Sequence, residues 1–318
     1  MSANNSIAFV FPGQGSQSVG MLAKLGEAAP SVRATFDEAS QVLGYDLWQL
    51  CASGPAEELN ATERTQPAML AAGVATWRVW QERGGARPAT VTGHSLGEFT
   101  ALVAAQAIDF ATCIELVRFR GKAMQEAVPA GTGAMAALLG LEDADVEAVC
   151  REAAAAGGVV EAVNFNSPGQ VVIAGDKAAV ARAIEAAKLR GAKRALELPV
   201  SVPSHSSLMK PAGIRLGEKL ATIDVRQPAI RYVSAVDAQA HDAPDDIRAL
   251  LVRQLSSPVR WTSTVAALSA AGARRIVECG PGGVLTGLVK RITRGGDTLT
   301  FALESPENFD AALAAVTA

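Results

Sequence analysis

Ala89-Thr90-Val91-Thr92-Gly93-His94-Ser95-Leu96-Gly97-Glu98 decides the fold class of this chain. A short β-prone run feeds a Gly-x-Ser-x-Gly pentapeptide, and a helical stretch from Glu98 to Ala107 follows. Between strand and helix that pentapeptide reads as a nucleophile elbow: its glycines let the backbone turn tightly and pack closely, lifting the serine hydroxyl clear of the sheet. The helix N-terminus behind Ser95 also favours developing negative charge. A glycine-rich turn with an incidental serine is the plain alternative, and the strand-turn-helix context weighs against it.

Comparable β-rich runs at Ile7–Phe11, Arg231–Ala235 and Arg274–Cys279 lead through Gly or Pro turns into Ala-rich helical segments. That alternation predicts an α/β fold with a mainly parallel sheet. The middle of the chain reads differently. Ala134–Leu141 is strand-like, Asp143–Ala156 helical, and Val159–Phe165 and Gln170–Ala174 are strand-like around the turn Asn166-Ser167-Pro168-Gly169. Lys177–Arg190 is helical and Arg194–Val200 strand-like again, so the order is βαββαβ, the ferredoxin-like unit. Gly131-Thr132-Gly133 and Pro199 to Pro203 supply turn residues at its borders. We expect an inserted ferredoxin-like small domain over residues 131–199, with 1–130 and 200–318 closing one large α/β domain.

Of the 318 residues, 49% are hydrophobic and 19% charged, a balance that predicts a folded chain rather than a disordered one. A net charge of -3 gives no general positive field, which argues against a nucleic-acid partner held through its phosphates. Cys51, Cys113, Cys150 and Cys279 lie far apart, without the spacing of a zinc ribbon or redox dithiol, and fit a reducing cytoplasm. No stretch approaches the roughly 20 apolar residues that span a bilayer. The expectation is a cytoplasmic protein with no metal site and no membrane contact.

A serine hydroxyl needs a neighbouring base, usually histidine. His94 lies inside the elbow, where its side chain should point away from the hydroxyl next door, and His241 falls in the Asp-rich stretch Asp237 to Asp246, where a solvated surface residue is expected. His205, where the chain returns to the large domain, is the best base by elimination. The glycines of Phe11-Pro12-Gly13-Gln14-Gly15-Ser16-Gln17 let backbone N–H groups face a ligand. An oxyanion hole takes one donor from such a loop and one from the residue after the nucleophile, here Leu96. Gly13, Gly15 and Gly20 miss the dinucleotide-binding spacing, and Gly280-Pro281-Gly282-Gly283 reads as a structural turn rather than a phosphate cradle.

Assembled in this order, the pieces resemble the bacterial malonyl-coenzyme A:acyl carrier protein transacylase family of type II fatty acid synthesis. Seven collinear blocks carry the resemblance over nearly the whole chain: FPGQGSQ at 11–17, GHSLGE at 93–98, RGKAMQ at 120–125, NFNSPGQVVIAG at 164–175, VPSHS at 202–206, QLSSPVRW at 254–261 and GPGGVLTGL at 280–288. The resemblance implies a hydrolase-like large domain carrying the ferredoxin-like insertion. It also implies transfer of malonyl from malonyl-coenzyme A to the phosphopantetheine thiol of acyl carrier protein, through an acyl-serine and without a metal or redox cofactor.

Residue by residue it implies Ser95 as nucleophile, His205 as base, and the backbone amides of Gln14 and Leu96 as the oxyanion hole. Arg120 would bind the malonyl carboxylate, since a guanidinium can donate two parallel hydrogen bonds to it. The main-chain carbonyl of Gln254 would orient His205. Taken alone, Arg120 beside Arg118 and Lys122 reads as a helix-end surface arginine, and Gln254 as a polar helix-end residue. Leu96 points to malonyl, because members that use methylmalonyl units often have Gln there. Carrier proteins of this kind are acidic, so Lys188, Arg190, Lys193 and Arg194 are expected to form part of a docking patch, a solvated helix face being the alternative. We expect a monomer. The elbow alone equally permits a thioesterase, and a non-catalytic docking subunit is the other alternative. Arg120 and the inserted domain favour transfer over the first, the intact Ser95 and His205 over the second.

Overall fold

Ten strands are arranged as two sheets in the computed structural model, which describes residues 4–200 and 202–317. The large sheet contains β1 (Asn4–Phe11), β2 (Pro88–Gly93), β7 (Arg231–Val233), β8 (Ala240–His241), β9 (Arg275–Glu278) and β10 (Leu299–Ala302), in the order β10-β9-β1-β2-β7-β8. All its neighbours pair parallel except the short β7–β8 edge. The small sheet contains β3 (Gly133–Leu139), β4 (Val160–Ser167), β5 (Gln170–Asp176) and β6 (Arg194–Glu197), in the order β4-β5-β3-β6 and wholly antiparallel. The protein is therefore mixed α/β, with a mainly parallel central sheet and a separate antiparallel one.

A parallel sheet covered on both faces needs strands that are apolar throughout. The β1 run meets that demand: Ile7, Phe9 and Phe11 enter a core shared with helix Thr62–Glu82, while Ala8 and Val10 meet helices Trp261–Ala270 and Val284–Ile292. In the small sheet the period is two. Ala134, Ala136 and Leu138 face helices Asp143–Ala155 and Lys177–Leu189, whereas Met135 joins Val163, Val172 and Ala174 on the other face. Backbone bonds from Phe165 N to Val259 O (2.9 Å) and from Val259 N to Val163 O (2.8 Å) clip β4 onto the segment ahead of helix Trp261–Ala270.

Three local expectations are corrected. β4 runs on to Ser167, which pairs with Gln170, so the turn is only Pro168-Gly169. β6 ends at Glu197 rather than Val200, because Pro199 has no N–H for a ladder and Leu198 and Val200 instead pack against the Met135 face. His241 is not a solvated loop residue: it sits half-buried in β8 with Nε2 3.0 Å from Asp237 Oδ2. β10, the opposite edge, also carries no expectation from the sequence. Among the described residues no helix is long and apolar enough to cross a membrane.

The carboxyl ends of β1 and β2 lie side by side, with Phe11 opposite Gly93 and His94 N donating to Phe11 O at 3.0 Å. Gly97 opens the helix Gly97–Ala104 directly over this junction, and a Cβ there would sit 1.9 Å from Phe11 O. Backbone oxygen cannot yield to it. Gly97→Ala should therefore lower stability by at least about 3 kcal/mol in urea unfolding, the upper end of ordinary overpacking. Gly287→Ala, in the exposed middle of helix Val284–Ile292 with nothing near its Cβ, should instead stabilise by about 0.5 to 1 kcal/mol. Equal effects would contradict the close-approach account.

Candidate active site

Ser95 occupies the turn between β2 and helix Gly97–Ala104 with φ 53°, a left-handed conformation unusual for a residue with a side chain. The turn closes through Gly97 N to His94 O at 2.9 Å and Glu98 N to Ser95 O at 3.0 Å. His205, also left-handed at φ 67°, comes from the loop following the small sheet, and its Nε2 lies 2.8 Å from Ser95 Oγ. On the far side of the ring, Nδ1 lies 2.8 Å from the main-chain carbonyl of Gln254. A carbonyl only accepts, so Nδ1 carries the hydrogen and Nε2 presents its lone pair to the serine hydroxyl. An imidazole in that state can take the hydroxyl proton.

Arg120 is almost wholly buried, 1% exposed, in helix Phe110–Glu126, so it is not the surface arginine that its basic neighbours suggest. Nη1 donates to Gln66 Oε1 at 2.9 Å, and Nη2 donates to Gln254 Oε1 at 2.9 Å and to Ser95 Oγ at 3.3 Å. Its Nε has no partner among the described residues. Desolvation lowers the Arg120 pKa to about 10, which leaves the guanidinium charged at neutral pH. Gln254, 1% exposed at the end of helix Pro244–Gln254, contributes both its carbonyl to His205 and its side chain to Arg120.

These groups open into a cleft of about 420 Å³ whose walls come from both sheets: Gln14, Leu96 and Met124 on one side, Met135, Asn164 and Val200 on the other. Among the described residues the backbone N–H groups of Gln14 and Leu96 have no protein acceptor. His94 is turned away from Ser95 Oγ, as expected, and its Nε2 meets Asn166 Oδ1 at 2.9 Å, tying the elbow to β4. His205 also walls a more open groove of about 500 Å³, lined by Arg151, Glu161 and Arg260, in which Ser95 takes no part.

The structure brings Ser95, His205, Gln14, Leu96, Arg120 and Gln254 together. None of the four basic residues of the expected patch lines the cleft, and Lys193 and Arg194 sit where β6 begins, beside Leu139 at the end of β3. Lys188 pairs with Glu185 at 2.7 Å, and Arg190 is bonded to Glu152 and lies 4.0 Å from Asp145. Among the described residues Lys193 and Arg194 have no acidic partner. Sequence reasoning missed Gln66, Glu98 and Tyr232, which complete the buried polar network; the one available signal was an acid, Glu98, opening a stretch, Phe99–Ala105, that is apolar except for Thr100. No group of His, Cys, Asp or Glu suited to a metal ion occurs among the described residues.

An acyl transferase domain model matches residues 8–302. A malonyl CoA-acyl carrier protein transacylase from Escherichia coli K12 is 59% identical over 96% of this chain and 98% of its own length. The chain belongs to the malonyl CoA-acyl carrier protein transacylase family. A crystal structure of a malonyl-CoA:acyl carrier protein transacylase from Xanthomonas oryzae superposes with a TM-score of 0.96 at 54% identity, covering 99% of each chain. A malonyl-transacylase in complex with its type II PKS acyl-carrier protein gives 0.95 at 54% identity, covering 98% of this chain and 99% of that one.

In this family member burial, reinforced by the Arg120 charge, lowers the His205 pKa from about 6.5 to about 3. The unfolded chain therefore binds a proton below pH 6.5 that the folded chain refuses until about pH 3, so this group's contribution to stability falls as pH drops through that window. The His205 ring signals in NMR should remain those of the neutral ring from pH 8 to pH 5. A titration midpoint near 6.5 would contradict the buried, Gln254-bonded ring.

Proposed function

We propose that this protein transfers the malonyl group from malonyl-coenzyme A to the phosphopantetheine thiol of acyl carrier protein, supplying malonyl units for fatty acid synthesis through an acyl-serine at Ser95. The single observation that carries the reading is the guanidinium of Arg120 held 3.3 Å from the Ser95 hydroxyl inside the cleft. A generic serine hydrolase has no need of a buried cation beside its nucleophile. A substrate whose acyl group ends in a carboxylate does, and Arg120 is among the residues lining the cleft. The names of the relatives agree with this substrate.

In the first half-reaction His205 Nε2 takes the Ser95 proton as Oγ attacks the thioester carbonyl carbon. Oxyanion charge forms beside the N–H groups of Gln14 and Leu96. The C–S bond then breaks, and the proton on His205 goes to the departing coenzyme A sulfur. In the second half-reaction the carrier thiol gives its proton to His205, its sulfur attacks the acyl-serine carbonyl, and Ser95 leaves with that proton. Gln254 O keeps the ring in the required tautomer throughout. These steps use no metal and no redox cofactor.

On this reading residues 131–199 form a ferredoxin-like domain inserted in a hydrolase-like domain of residues 1–130 and 200–318, and the cleft between them admits the pantetheine arm. The element order of the small sheet and its strand order β4-β5-β3-β6 support that division. We read the protein as a cytoplasmic monomer, in keeping with four buried free cysteines. The solved complex of a similar transacylase with its carrier supports a protein acceptor. Of the expected basic patch, Lys193 and Arg194 are the members left to meet an acidic carrier.

Arg120→Ala tests the substrate. Removing one partner of a desolvated charge pair typically costs roughly 2 to 5 kcal/mol, so kcat/KM for malonyl-coenzyme A should fall about 30- to several-thousand-fold. Acetyl-coenzyme A, which has no carboxylate, should lose little. An equal decline for both would leave Arg120 a structural residue. The acceptor is tested by reversing charge at Lys193 and Arg194 together, which should raise the carrier-protein KM at least about threefold at low salt and less at high salt. Acylation by malonyl-coenzyme A should not change, and carrier kinetics that are also unchanged would remove the patch.

A further inference from the structure

Arg120, the Ser95 backbone and the support of His205 all converge on Gln254, and the group that fixes the Gln254 amide is Glu98. Glu98 lies in the first turn of helix Gly97–Ala104 and is 1% exposed. Its Oε1 accepts from Gln254 Nε2 at 2.8 Å, and its Oε2 accepts from the hydroxyl of Tyr232, a fully buried residue of β7. Burial raises the Glu98 pKa, and the Tyr232 and Gln254 donors offset that only in part. Burial and the facing carboxylate push the Tyr232 phenol well up, so it remains a donor.

The chemistry at both ends admits one orientation of the amide. Arginine only donates and a carboxylate only accepts. Gln254 stands between Arg120 Nη2 at 2.9 Å and Glu98 Oε1 at 2.8 Å, so its oxygen must face Arg120 and its nitrogen Glu98. That same nitrogen reaches the Ser95 carbonyl at 3.0 Å, bracing the left-handed turn. Without an acceptor at Glu98, the Ser95 carbonyl alone holds the Gln254 nitrogen, and a turned amide would set N–H against the guanidinium, a buried donor facing a donor. In that state Arg120 would lose one of its three acceptors, Gln66, Gln254 and Ser95.

We infer that Glu98, supported by Tyr232, is a positioning residue for malonyl selection, acting by locking the Gln254 amide with its oxygen toward Arg120. The inference rests on the reading of Arg120 as the carboxylate partner. Glu98 touches no reacting atom, so its signature is selectivity. An acid that merely fills the core would lower turnover of every acyl substrate alike.

The test compares full-length Glu98→Leu, Glu98→Gln, Tyr232→Phe and Arg120→Ala, with kcat/KM measured for malonyl- and acetyl-coenzyme A. Glu98→Leu should lower the malonyl-to-acetyl ratio at least about tenfold, the scale of one buried polar group left unpaired. Glu98→Gln retains an oxygen that accepts from Gln254 and should hold the ratio within about threefold of wild type. Tyr232→Phe should lower it at least about threefold, and it is the deciding variant if Glu98→Leu does not fold. An unchanged ratio in the deciding variant, equal losses on both substrates, or a Glu98→Gln as impaired as Glu98→Leu overturns the inference. Arg120→Ala separates the two readings. If it leaves the ratio unchanged, the carboxylate reading has failed; if it collapses the ratio while Glu98→Leu does not, only the role of Glu98 has.

Discussion

The hydrogen bond from His205 Nδ1 to the Gln254 carbonyl, 2.8 Å long, governs the charge balance of the whole cleft. It fixes the tautomer that a base needs, yet brings no negative charge to the imidazole. A carboxylate in that place would raise the ring's proton affinity and would also compete for Arg120. Burial keeps the ring unprotonated, the nearby guanidinium lowers its proton affinity further, and the neutral carbonyl behind it offsets them only in part. Arg120 thus has no carboxylate in direct contact, its protein acceptors Gln66, Gln254 and Ser95 all being neutral.

That balance depends on where the backbone puts the pieces. Ser95 can stand over the ends of β1 and β2 because the helix Gly97–Ala104 begins almost in contact with Phe11 O, an approach open to glycine alone. The small sheet supplies the opposite wall and is held by β4, through its backbone bonds to Val259 and through Asn166, which meets His94 in the elbow itself. His205 is delivered by the chain as it leaves that sheet. The nucleophile, its base and the clamp on the small sheet are therefore mechanically joined, and the cleft between the sheets has a defined width at the reacting groups.

Much of this was legible in the sequence because it is written locally. Glycines two residues either side of Ser95, a β-prone run before it and a helix after it specify the elbow without reference to distant residues. The alternation of periods over residues 134–200 specified the order of the small-sheet elements in the same way. The edge strands β8 and β10 were not legible, since two and four residues become strands only by pairing with β7 and β9. Nor was the polar network. Gln66, Glu98, Tyr232 and Gln254 are spread along the chain and carry no common spacing; what unites them is a shared lack of water. The partners of Arg190 were hidden for a related reason, because Asp145 and Glu152 belong to a different helix.

The central claim is that Ser95 carries the malonyl group between the two thiols, and intact-mass spectrometry with malonyl-coenzyme A and no acceptor tests it most directly. The account predicts one malonyl adduct per chain, mapped to Ser95 by peptide fragmentation, discharged on adding carrier protein, and absent from a folded Ser95→Ala variant. An adduct that persists in Ser95→Ala or maps to another residue, or a wild-type chain that takes up no malonyl, would contradict it.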